Sequence, residues 1–91
     1  MKVYYERITY IESMKDYIRI CTADGEVVTR EGITDFAGQL PDYFLRIHRS
    51  FIINVRKITA YTAHDVEVGE QGIPIGVSYK SAVMERLSAG K

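Results

Sequence analysis

"FLRIHRSFIIN", residues 44–54, sets His48, Arg49 and Ser50 between two runs of bulky apolar residues. A turn that only reverses the chain more often uses Gly, Pro, Asn or Asp. Three polar, donor-rich side chains at this point therefore suggest a task beyond reversal. Ahead of them the pattern alternates, with Leu45 and Ile47 on one face and Phe44, Arg46 and His48 on the other, as in a half-buried strand. Behind them Phe51, Ile52 and Ile53 break the alternation. The expectation is a single tight helical turn that wraps these side chains around a buried corner, with Asn54 taking a left-handed exit.

Working outward, "RITYIES" (7–13) and "YIRICT" (17–22) are rich in β-branched and aromatic residues, with "MKD" between them. Asp24-Gly25 is a hairpin turn signal leading into "EVVTR" (26–30), so three strands in a meander are predicted. In "GITDFAGQLP", Ile33, Phe36 and Leu40 share one face of a short helix, which Pro41 ends. Two further strands are predicted near 58–62 and 65–68, then a turn at "GEQG" into a strand over "IPIGV". Ser78 is the candidate N-cap of a last helix, "YKSAVMERL", with Tyr79, Val83 and Leu87 on one face. The fold class is mainly β, small antiparallel sheets with two short helices, as one domain over residues 1–91. The helices are far apart, with strands between them, so no helix-turn-helix is available. If the chain reads DNA, loops on a β scaffold must do it.

Composition narrows the classes further. Ninety-one residues, 46% hydrophobic with seven Tyr and three Phe, supply one modest core. Twelve basic and twelve acidic residues cancel, so the distribution of charge carries the information. Residues 43–64 contain no acid but hold Arg46, Arg49, Arg56 and Lys57; residues 71–84 again contain no acid and hold Lys80. Such stretches can bind phosphates with one surface, or act as basic strand edges that discourage edge pairing.

Cys21 is the lone cysteine, expected to be a packed thiol in a reducing, cytoplasmic setting. No run approaches the ~20 apolar residues of a membrane span, and the start lacks a signal-peptide pattern. That start enters strand-like sequence abruptly, as a piece of a longer protein would. His48, His64 and Cys21 have no metal-ligand spacing. Glu12 and Asp16 would lie about 13 Å apart along a strand, too far for a carboxylate pair, so solvated acids or an ion pair of Glu12 with a neighbouring Arg are expected instead. No phosphate-cradling glycine motif occurs, and "HRSFIIN" departs from a kinase catalytic loop at Ser50 and Asn54. No enzyme, metal or cofactor is expected.

"ITYIES", "DYIRICT", "LPDYFLRIHRSFIIN" and "IPIGVSYKSAVMERL", in order over nearly the whole chain, resemble the LytTR family, the DNA-binding output domain of many bacterial response regulators. The resemblance implies a ten-stranded-type fold of three small sheets and loops that enter successive major grooves of double-stranded DNA. It also implies binding as two copies on repeated half-sites, and a receiver domain in the full protein. By position, "MKDY" (14–17) resembles the first DNA-contacting loop, Arg49 falls at the central base-contacting position, and Ser78 to Lys80 approximates the third contact region. The implied base readers are Arg49, Tyr17 and Lys80. The implied phosphate contacts are Lys15, Arg46, His48, Ser50, Ser78 and Tyr79, with pairing to Glu12 an equal alternative for Arg46.

The chemistry suits these roles. An arginine fork can bond guanine O6 and N7 together, while His and Ser donors on phosphate fix register without reading sequence. Asp16 could accept from cytosine N4 or be a solvated turn residue. Many relatives carry Ser and then a basic residue where this chain has Gly76 and Val77. The expected function is sequence-specific DNA binding in a bacterial transcriptional regulator. The alternative is a protein-interaction module on the same fold, for which the aromatics of "VYYERITY" and the Gly76-Val77 departure speak.

Overall fold

The structure is a computed structural model and describes residues 2–89. Strands β1 (Ile8–Met14), β2 (Tyr17–Thr22) and β3 (Gly25–Thr29) form the expected meander. A short helix α1 (Ile33–Ala37) follows, then β4 (Phe44–His48) and β5 (Phe51–Asn54) as a hairpin. Because β5 also pairs with β1, these five strands make one antiparallel sheet in the order β3-β2-β1-β5-β4. A second sheet, β6-β7-β8, comprises Ile58–Tyr61, Asp65–Val68 and Gln71–Pro74. Helix α2 (Lys80–Ala89) closes the described chain.

The mainly β class with two short α-helices is as the sequence indicates. The sheet count is not: two sheets of five and three strands are present among the described residues, because the β1–β5 pairing merges the meander and the hairpin.

The five-stranded sheet carries a core on each face, with β3 left as a largely exposed edge. Ile8, Ile11, Ile18, Ile20 and Ile52 pack with Ile33 and Phe36 of α1 on one side. Tyr10, Cys21, Ile47 and Ile53 pack on the other against Val66, Val68 and Ile73 of the small sheet and Val83 and Leu87 of α2. This corrects the reading of Phe51, Ile52 and Ile53. They form a strand, not a helical corner, and alternation is lost because Ile52 and Ile53 point into opposite cores. A short continuous apolar run is what a strand covered on both faces requires.

Asn54 is corrected with them. Its φ of −90° is extended rather than left-handed. It is 1% exposed; its Nδ2 donates to the Ile8 carbonyl at 2.8 Å and its Oδ1 accepts from the Arg56 N–H at 2.9 Å. It thereby caps a 3₁₀ turn over Val55–Lys57.

Other expectations shift by local amounts. Helix α1 stops at Ala37, though Leu40 still packs on its core. The strand expected over "IPIGV" ends at Pro74. Ser78 does not cap α2: a 3₁₀ turn over Val77–Tyr79, with Gly76 at its N-cap, leads into the helix instead. Val83 and Leu87 are buried as the helical spacing predicts. Gly69, between β7 and β8, has φ +62°, a conformation glycine adopts without steric cost.

On the meander, Arg19 donates to Glu12 at 2.5 Å and to Glu26 at 2.7 Å. Glu12 is therefore engaged across the β1–β2 pair, and the alternative pairing with Arg46 does not occur. Burial pushes the Cys21 thiol above its ordinary range, as befits a packed thiol rather than a nucleophile.

Candidate nucleic-acid interface

The β4–β5 turn is held by its own polar residues. His48 and Phe51 are paired, so Arg49 and Ser50 alone make the turn. His48 Nδ1 accepts from the Ser50 N–H at 3.0 Å, and the His48 ring lies 5.4 Å from that of Phe51. Beneath the turn, Arg46 donates from Nε to the His48 carbonyl at 2.9 Å and from Nη2 to the Arg49 carbonyl at 2.5 Å. Its third contact is Thr34 Oγ1 at 3.5 Å. Arg46 is a clamp on the turn backbone, a use that its position on a strand did not disclose. Arg49 itself is exposed, and among the described residues its guanidinium has no ion-pair or hydrogen-bond partner.

The β1–β2 turn stands at the same end of the sheet. Antiparallel pairing sets Glu12 opposite Phe51, and the Ser13 N–H donates to the Ser50 carbonyl at 2.8 Å. The end of β1 thus adjoins the start of β5. Met14 and Tyr17 are paired, leaving Lys15 and Asp16 as the turn. Lys15 has φ +57°, a left-handed conformation that costs a non-glycine residue about 1–2 kcal/mol. Lys15, Asp16 and Tyr17 are all exposed, with the Arg30 guanidinium 5.8 Å from the Tyr17 ring centre.

The third segment is brought in by backbone. After β8, the Gly76 N–H donates to the Ile47 carbonyl at 2.8 Å, laying residues 76–80 beside the end of β4. The fit is close: a Cβ on Gly76 would lie 3.0 Å from Tyr79 Cδ1 and 3.5 Å from His48 Cα. A side chain at position 76 would therefore need Tyr79 to give by a few tenths of an ångström. Ser78 and Lys80 are exposed, whereas Tyr79 is half-buried and packs on the core. Val77, which sequence reasoning noted only as a departure, is 95% exposed.

The β1–β2 turn, the β4–β5 turn and residues 76–80 therefore meet at one end of the large sheet. They present Lys15, Tyr17, Arg49, Ser78 and Lys80 to solvent, with Asp16 the acid among them. His48 and Ser50 are half-buried in the turn they brace. Exposed cations on fixed loops, with donors between them, define a surface for a polyanion.

Comparisons with known proteins give the family of the chain. The sequence profile of the LytTr DNA-binding domain matches residues 1–88, and the chain belongs to that family. The transcriptional regulatory protein NatR of Bacillus subtilis is 46% identical over 57 residues, which cover 58% of this chain. The match covers 24% of NatR, so the chain spans about a quarter of that relative. The LytTr DNA-binding domain of a Bacillus cereus protein described as a methyl-accepting/DNA response regulator superposes with a TM-score of 0.82. That match covers 97% of this chain and 86% of the other at 24% identity, and it shows a shared fold. The domain is thus a DNA-binding one of the kind found in transcriptional regulators.

Proposed function

We propose that the chain reads a specific DNA sequence through these three segments, as one domain within a longer bacterial transcription regulator. The observation that carries the reading is the exposed Arg49, without a side-chain partner among the described residues, on a turn whose backbone is clamped by Arg46 and His48. The β4–β5 turn enters a major groove, about 12 Å wide, and Arg49 bonds a guanine edge. Tyr17 and Lys80 reach bases from the flanking segments. Lys15, Ser50, Ser78 and Tyr79, with any donor left on Arg46 and His48, hold phosphates and fix register. Two copies on repeated half-sites, with a receiver domain controlling them, complete the proposal. Its chemistry is binding without catalysis, and its setting is the cytoplasm.

Salt titration tests the polyanion component. With roughly two to four phosphates neutralised, log K against log salt falls with a slope of about −2 to −4. A flat response would favour the protein-interaction alternative.

Gly76→Ala tests the third segment. The added methyl presses on the Tyr79 ring, 3.0 Å away, and shifts it within the 76–80 segment, at about 1–3 kcal/mol for overpacking. DNA affinity is expected to fall severalfold while circular dichroism stays unchanged. Unchanged affinity would remove residues 76–80 from the interface.

A further inference from the structure

Val77 is the least buried large apolar residue among those described, at 95% exposure, while Val66, Val68 and Val83 are fully buried. An isolated apolar side chain on a surface is ordinary and by itself decides nothing. Its placement does. The Gly76 N–H bond to the Ile47 carbonyl fixes the preceding residue against His48, and the Tyr79 N–H bond to the Gly76 carbonyl closes the turn that carries Val77. Val77 is thus held on a hydrogen-bonded backbone beside the β4–β5 turn, with exposed Ser78 and Lys80 following it. Apolar contacts in a major groove find one apolar feature on the base edges, the 5-methyl group of thymine.

We propose that Val77 reads a thymine methyl in the same half-site in which Arg49 contacts its base. The proposal rests on the DNA-reading function assigned above and adds a preference that a basic residue at this position would not confer.

The test uses the duplex that the chain enriches from a random library. Each thymine is replaced in turn by deoxyuridine, which lacks only the methyl, and affinity is measured for the unaltered chain and for Val77→Ser. One replacement is expected to weaken the unaltered chain by about fourfold, the effect of one buried methyl-sized group, and to leave Val77→Ser unaffected. Because the side chain lies almost wholly in solvent, Val77→Ser should melt at the same temperature as the unaltered chain. If no replacement matters, or the sensitive position is equally sensitive in Val77→Ser, the methyl contact is wrong while DNA reading stands. If the unaltered chain enriches no sequence, DNA reading fails and the methyl contact falls with it.

Discussion

Replacing Arg49 by alanine is expected to lower affinity for the chain's specific duplex by about 5- to 150-fold, the range that corresponds to about 1–3 kcal/mol for one bidentate base contact. Affinity for random duplex should change by no more than about twofold at the same salt, because a lost base contact is sequence-dependent and a lost phosphate contact is not. The structure makes the variant clean. The turn is held by Arg46 on the carbonyls of His48 and Arg49 and by the Ser50 N–H on His48 Nδ1, none of which uses the Arg49 side chain. Arg49→Lys should recover little of the loss, since a lysine lacks the planar fork. Parallel measurement of Kd on both duplexes decides the matter: equal losses would make Arg49 a phosphate contact and move base reading elsewhere.

The largest effect on stability is expected at Asn54→Ala. Asn54 is the buried polar residue of the described chain, and it ties the start of β1 to the end of β5 through the Ile8 carbonyl while capping the 55–57 turn. Alanine removes both hydrogen bonds and weakens the pairing of a buried carbonyl, at about 2–4 kcal/mol in all. A domain of this size is stable by only about 5–14 kcal/mol. The melting temperature should therefore fall by about 10–25 °C, measured by circular dichroism with urea unfolding for the free energy. Specific DNA affinity of the molecules that remain folded should stay close to normal. A loss below about 1 kcal/mol would show that water or a shifted backbone serves Ile8 equally well.

Which features could be read from the sequence follows from how far each interaction reaches. The β1–β3 meander was visible because β-branched runs and Asp24-Gly25 act on near neighbours. The buried face of α2 was visible because Val83 and Leu87 are four apart. "FIIN" was misread because consecutive apolar residues look alike in a helical corner and in a strand covered on both faces. What decides between them is β1 and β4 lying to either side of β5, which is non-local.

Asn54 failed for the same reason, its partner Ile8 being 46 residues away. Ser78 is an acceptable cap locally, but the Gly76 bond to Ile47 starts the turn earlier and carries Ser78 past the capping position. At the candidate interface, the "MKDY", "HRS" and "SYK" segments stood out in the sequence, and the fold brings all three to one sheet end. The clamp role of Arg46 was hidden because its acceptors are backbone carbonyls, which no sequence pattern marks. An ion pair of Glu12 with a neighbouring arginine was legible, but which arginine was not, since Arg19 takes it across the β1–β2 register.

Selection from a random duplex library tests most directly whether this β scaffold reads sequence with its loops. Purified, folded chain is passed through successive rounds at low salt, and the retained duplexes are sequenced. A recurrent motif, with guanine at a position that Arg49→Ala no longer selects, is the expected result. A retained pool no different from the starting library, with the chain still folded, would contradict sequence reading by this domain.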